Sequence, residues 1–148
     1  MSAMNVVIAA ATGADLPIVL NLLQRCNLPQ AGLEQHLATT LVAREGVRIV
    51  GSAALELYGR AALLRSVAVE PSSRGLGLGE QLTNAALDLA RSRGVRAIYL
   101  LTDSASVFFL RFGFHRVLRT DVDPAVQGSV EFTDACPQSA LAMRADLA

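Results

Sequence analysis

The sequence contains no lysine. A Walker-type phosphate loop ends in Gly-Lys-Ser/Thr, so that route to a nucleotide is closed. Neither charge is in excess. Lys+Arg and Asp+Glu stand at 13 each, which leaves no basic surplus to neutralise nucleic-acid phosphates or an anionic bilayer. The partners that remain are small molecules and further copies of the chain, a homodimer included. Long apolar runs are missing too: 52% of residues are hydrophobic, yet Arg, Asp, Gly or Pro breaks every stretch well before the roughly 18 residues of a membrane span. Cysteine is scarce. Cys26 and Cys136 have no disulfide or zinc spacing and read as small buried hydrophobes. Met1 to Ala11 lacks the positive n-region of a secretory signal, so a reducing cytoplasm is the expected location. With no repeat or low-complexity tract, the 148 residues read as one domain, 1–148, able to bury roughly 70% of the unfolded surface.

What the chain does have is Arg74-Gly75-Leu76-Gly77-Leu78-Gly79, between a short apolar run and an amphipathic one. Ala62 to Val69 is nearly all aliphatic, a strand buried on both faces that Pro71 closes. Leu78, Leu82, Ala85, Ala86, Leu89 and Ala90 then recur at helical spacing until Gly94. Strand, glycine loop and helix present bare N–H groups, a positive helix end and the forked cation of Arg74 to one point. The anion this suits is a pyrophosphate. A dinucleotide fingerprint fits less well, because Gly79 falls one position early and Tyr99-Leu100-Leu101-Thr102 supplies no acid. The bland alternative is that the glycines serve turns and caps. Glu80, in the first helical turn, would repel a phosphate and is expected to point aside.

The rest of the chain reads as further strands and helices. Asn5 to Ala10 is a first strand; Asp15 caps a helix with Pro17 in its first turn and a Leu16, Leu20, Leu23 stripe. A short helix over Leu33 to Ala38 precedes strands at Thr40 to Ala43 and Val47 to Tyr58, split by a Glu45-Gly46 turn. Gly59-Arg60 leads to the central strand. After the crossover helix come a parallel fifth strand at Arg96 to Thr102, a helix at Ser104 to Phe112, and strands at Phe114 to Val117 and Gln138 to Asp146. The architecture expected is α/β, a mixed sheet of about seven strands flanked by helices.

Two charges interrupt apolar strands. Arg65 must meet an anion, since burying it unpaired would cost several kcal/mol. That anion is either Glu56 on the neighbouring strand or the carboxylate of a ligand. Glu56 is either a functional carboxylate or a solvated one on the outer face of an antiparallel sheet. Tyr58, on the same face as Glu56, either binds a ligand or packs the hairpin. His36 and His115 are isolated and read as surface or loop residues.

Val67-Ala68-Val69-Glu70-Pro71, Arg74 to Gly79 and Leu82 resemble the acetyl-CoA signature of the GNAT superfamily of N-acetyltransferases, and Ala97 to Thr102, Ala105, Phe109 and Gly113-Phe114 match its next strand, helix and Gly-Phe turn. The resemblance implies acetyl-CoA as co-substrate, its pyrophosphate on Arg74, Gly75, Leu76, Gly77, Leu78 and Gly79. It implies the pantetheine arm along Val67, Ala68 and Val69, where strands four and five splay, with Thr102 and Phe109 nearby. The region after the first helix is then where specificity for the acceptor amine resides. Acetyl transfer needs a proton acceptor, for which Glu56 is the first candidate, with Arg65 and Tyr58 binding the acceptor. Where many GNAT enzymes carry a tyrosine that protonates the leaving thiolate, this chain has Phe109; Thr102 stands in place of a frequent asparagine, or opens the helix with Asp103 and Ser104. A non-catalytic CoA-binding module is the rival that Phe109 raises. Leu63-Leu64-Arg65-Ser66, Phe108-Phe109, Glu131-Phe132 and Cys136 to Ala140 further resemble the arsenic-resistance (ArsN-like) enzymes and the short amino-acid acetyltransferases of the N-acetylglutamate synthase type. Both acetylate an α-amino acid or analogue, which implies a carboxylate for Arg65.

Overall fold

Turn glycines and apolar runs set seven strands: β1 (Val6–Ala10), β2 (Thr40–Glu45), β3 (Arg48–Tyr58), β4 (Ala61–Val69), β5 (Ala97–Thr102), β6 (His115–Val117) and β7 (Leu141–Asp146). In this computed structural model, which describes residues 5–135 and 139–147, they form one sheet in the order β1-β2-β3-β4-β5-β7-β6. Every neighbouring pair is antiparallel except β4 with β5. The mixed sheet expected from the sequence is therefore present. The start of the chain up to Met4, and Cys136, Pro137 and Gln138, lie outside the described residues. No helix among the described residues is long and apolar enough to cross a membrane.

Helices cover both faces. Helix α1 (Leu16–Arg25) buries Val19, Leu22 and Leu23 against Val42, Ile49 and Ala54. On the other face α2 (Leu78–Ser92) buries Leu78, Leu82, Ala86, Leu87 and Ala90 against Val50, Leu55, Ala62, Leu64 and Ile98. Each fully buried leucine contributes about 2 kcal/mol of transfer free energy, so these two stripes hold the helices far more firmly than their caps do. The α2 stripe is turned slightly from the sequence reading, with Thr83 and Leu87 inside and Ala85 and Leu89 half-buried.

Several elements differ from expectation. Leu33–Thr39 is a 3-10 stretch broken at His36, not an α-helix. Helix α3 spans only Ser106–Leu110, because the Thr102 hydroxyl accepts the Ala105 amide and forms the turn that starts it. The segment between β6 and β7 carries a short helix, α4 (Pro124–Gln127), capped by Asp123, and a π-type turn at Glu131–Ala135. Val122, Val126 and Phe132 seal it onto Leu63, Tyr99 and Ala142.

Two irregularities open the sheet at its centre. Ala54 pairs with Arg65, but Ser52 pairs with Ala68, so β4 carries one extra residue between them. Ser66 takes a left-handed φ of 60°, a conformation costing on the order of 1 kcal/mol in a non-glycine residue. The Ser52 hydroxyl holds it by donating to the Ser66 carbonyl at 2.8 Å. Beyond the bulge the side chains exchange faces, which puts Ala68 on the side that Arg65 occupies before it. The parallel pairing, meanwhile, runs only from Ala61 opposite Ala97 to Leu63 opposite Tyr99. Past that point β4 and β5 part.

Candidate active site

A cleft of about 1210 Å³ fills the space between the parted strands and runs out to the glycine loop. Its inner walls are Leu64 to Val69 and Leu100 to Thr102; its outer end is Arg74, Gly75, Gly77, Leu78, Gly79 and Glu80. Drug-sized ligands occupy roughly 300–1,000 Å³, so the space suits a longer molecule. Gly77 precedes α2 with φ 81° and Gly75 has φ 85°, and a Cβ on either would meet nothing within 4 Å. The backbone at the start of α2 is thus open to a ligand, and the first-turn amides and helix dipole meet it there. Leu76 is exposed beside them. These features fit a pyrophosphate followed by a narrow arm.

The charged side chains around the loop have partners of their own. Glu80 lies 3.7 Å from Arg111, which lines the same cleft and whose guanidinium lies 5.2 Å from the centre of the Phe108 ring. Arg74 reaches back, its Nε donating to the Val69 carbonyl at 3.1 Å and its Nη2 lying 3.5 Å from the Cys26 sulfur. Cys26 is only partly buried and lines the cleft, a correction to the buried hydrophobe expected of it. It ends α1, whose last turn presents Arg25 to Glu70 at 2.6 Å, and this puts a polar sulfur at the lip.

Thr102 and Phe109 both line the cleft. Phe109 is buried edge-on between Phe108 and Phe114, at centroid distances of 5.0 and 5.8 Å. Phe109 itself brings no hydroxyl to the wall.

At the inner end stands a buried charge network. Arg65 and Glu56 are 3% and 1% exposed. They lie diagonally on one face of the β3–β4 hairpin, since Glu56 pairs with Leu63 and Ala54 with Arg65. Arg65 Nη1 donates to Glu56 Oε2 at 2.9 Å, Nε donates to the Ser66 hydroxyl at 3.1 Å and lies 3.4 Å from Glu131 Oε2, and Nη2 donates to the Pro29 carbonyl at 3.3 Å. The anion that Arg65 required is internal. Gly32 makes room for it: a Cβ there would come within 3.1 Å of Nη1 and 2.5 Å of a Val130 methyl carbon.

Glu56 is not the solvated carboxylate that an outer sheet face would give. Its Oε1 accepts the Tyr58 hydroxyl at 2.5 Å and lies 3.8 Å from His36 Nε2. Burial pushes the Glu56 carboxyl up, but hydrogen bonds from Tyr58, Ser129 and Arg65 outweigh it and hold the group below its ordinary value. Burial and the adjacent carboxylate push the Tyr58 phenol up to about 12. Glu56 and Tyr58 open not on the cleft but on a second pocket of about 310 Å³, shared with Gly32, Gln35, His36 and Ser129. Arg65 and Glu131 face the cleft itself. From the sequence alone Glu131 and Ser129 have no role, and His36 reads as isolated. No periodicity marks the β6–β7 segment, so only the fold brings them to β3 and β4. His115 is exposed on β6, as expected.

Known proteins share this fold. Residues 15–114 match the model of the acetyltransferase (GNAT) family. No curated protein sequence matches the chain. Among solved structures, Rv2747 from Mycobacterium tuberculosis in complex with CoA and NLQ superposes with a TM-score of 0.82 at 22% identity, over 96% of this chain and 99% of that one. The N-acetylglutamate synthase of Neisseria gonorrhoeae, with coenzyme A and N-acetyl-glutamate, gives 0.83 at 19% identity over 99% of this chain; the match spans 36% of the synthase. An acetyltransferase from Streptococcus agalactiae gives 0.76 at 18% identity, over 96% of this chain and 98% of that one. With two thirds of its length inside the family model and the same fold throughout, this chain belongs to the GNAT family of acetyltransferases, enzymes that move an acetyl group from acetyl-CoA to an amine.

Proposed function

We propose that the protein acetylates the α-amine of a small, carboxylate-bearing acceptor, an amino acid or close analogue, by direct transfer in a ternary complex. The observation that carries this reading is the continuity of the cleft. It begins at the glycine loop and the start of α2, passes between the parted strands and finishes at a buried arginine that faces it. Arg74 to Gly79 hold the pyrophosphate, and Val67, Ala68 and Val69 pair with the pantetheine arm as an added strand would. Arg65 engages the acceptor carboxylate, with Glu56 bracing the guanidinium from behind and Tyr58 fixing Glu56. Such a carboxylate competes with Glu131 for the same fork.

The amine nitrogen attacks the thioester carbonyl, the C–N bond forms and the C–S bond breaks with its electron pair on sulfur. A carboxylate of the Glu56–Arg65–Glu131 network takes the amine proton. Because a thiol ionises near about pH 8.5, the thiolate departs without a side-chain acid and is protonated from water, which accommodates Phe109.

A fold neighbour solved with N-acetyl-glutamate supports an amino-acid acceptor. Either an N-acetylglutamate synthase-like biosynthetic role or an arsenic-resistance role accommodates it. The experiment is thiol release from acetyl-CoA against a panel of amino acids and their amides. The reading predicts release that rises with free amino acids and little with amides. Release that no acceptor raises would count against it and favour a CoA-binding module.

A further inference from the structure

We infer that Glu131, from the segment between β6 and β7, is the carboxylate that takes the proton from the attacking amine. The inference rests on the acetyl-transfer reading and assigns a residue that reading leaves open. Both Glu56 and Glu131 meet Arg65, but from different compartments. Glu131 lines the cleft together with Leu64, Arg65 and Ser66, at the end where the strands part and the thioester must lie. Glu56 lines the second pocket, behind the guanidinium.

Their surroundings differ in the same sense. Both Glu56 oxygens accept strong bonds, from Tyr58 at 2.5 Å and from Arg65 at 2.9 Å. A proton arriving there would have to displace one of them. Glu131 Oε2 lies 3.4 Å from Arg65 Nε, and Glu131 lines the cleft where the amine must arrive. Glu131 is 3% exposed, so a proton it receives stays out of bulk water until the acetylated product leaves. Arg65 on β4 lies against it, with Glu56, Tyr58 and His36 beyond the guanidinium. In the balanced step the amine loses one proton to Glu131, the acetyl carbon exchanges sulfur for nitrogen, and CoA leaves as thiolate to be protonated by solvent.

The test is the pH dependence of kcat for Glu131→Gln and Glu56→Gln, with the KM for acetyl-CoA measured beside it. The inference expects Glu131→Gln to lose about 10²-fold in kcat at neutral pH, with an unchanged KM for acetyl-CoA. Its rate should climb toward wild type as pH rises and the acceptor deprotonates in solution. Glu56→Gln should keep the acid limb of the wild-type profile. Should Glu131→Gln fail to fold, Glu131→Asp takes its place and should keep the limb at reduced kcat. A Glu131 variant with wild-type kcat, or loss of the limb in Glu56→Gln instead, overturns the inference alone. An inactive wild-type protein would instead overturn the acetyl-transfer reading on which it rests.

Discussion

Arg65 and Glu56 form a buried ion pair, Nη1 to Oε2 at 2.9 Å, across the β3–β4 hairpin. Both side chains are shut from solvent, and Glu131 adds a second carboxylate to the same guanidinium. Removing the cation leaves two buried anions without their counter-charge. Arg65→Met should therefore cost about 3–5 kcal/mol, a fall in Tm on the order of 10 °C. Arg65→Met combined with Glu56→Gln should recover much of the loss, because the two sites couple directly. Thermal unfolding of the single and double variants checks this; independent, additive losses would show that the pair is not a unit. Among variants that stay folded, loss of acceptor affinity with CoA affinity kept would place Arg65 on the acceptor side.

The acid side of the stability curve should bear the mark of Glu56. Burial pushes its carboxyl up, and the bonds from Tyr58, Ser129 and Arg65 hold it down by more. A depressed folded-state value stabilises the fold above the unfolded value near 4.5 and is lost as pH falls through the folded one. Tm should be flat toward neutrality and drop below that window. Glu56→Gln should flatten the drop, and an identical acid profile in this variant would contradict the account.

Tyr58 offers the complementary measurement at high pH. Its phenol, pushed up to about 12 by burial and the Glu56 carboxylate, should ionise late in an ultraviolet titration of the folded protein. Tyr58→Phe should abolish that step. Its raised value stabilises the fold below the unfolded value near 10, a contribution lost as pH rises through the folded one. A Tyr58 step near pH 10 would mean that the bond to Glu56 is absent in solution.

Gly77 separates backbone geometry from bulk. A Cβ there touches nothing, yet φ is 81°. Gly77→Ala should cost about 1–2 kcal/mol through backbone strain alone, and Gly77→Asn less, since asparagine tolerates the left-handed region. CoA affinity should fall in the same order in a calorimetric titration. Equal affinities in all three proteins would remove the loop from the binding site.

Phe109→Tyr tests whether the leaving thiolate needs an acid. The ring is fixed edge-on between Phe108 and Phe114 in the cleft wall. If water suffices, kcat should change far less than the about 10² that a required general acid contributes. A large gain on adding the hydroxyl would show that acid catalysis had been limiting.

The strands, the crossover helix and the glycine loop were legible because each rests on local chemistry. The aliphatic run of β4, the Gly46 and Gly59 turns and the Leu78, Leu82, Ala86 stripe name their own structures. Arg65 was legible as a charge in need of a partner, and Glu56 on the neighbouring strand was one candidate for it. What could not be read was the closure of the site by Ser129 and Glu131. They come from a segment with no period of its own, packed by Val122, Val126 and Phe132. The bulge at Ser66 was equally hidden, since nothing in Arg-Ser-Val favours a left-handed serine; the Ser52 hydroxyl from the next strand holds it.

The account stands most directly on the grip of peptide amides at the start of α2 on CoA. Calorimetric titration of the purified protein with CoA should give a saturable, one-site heat that weakens when Arg74 is changed to Ala and when Gly77 is changed to Ala. No heat at millimolar CoA, with the protein folded, would contradict it and leave the glycines as turns.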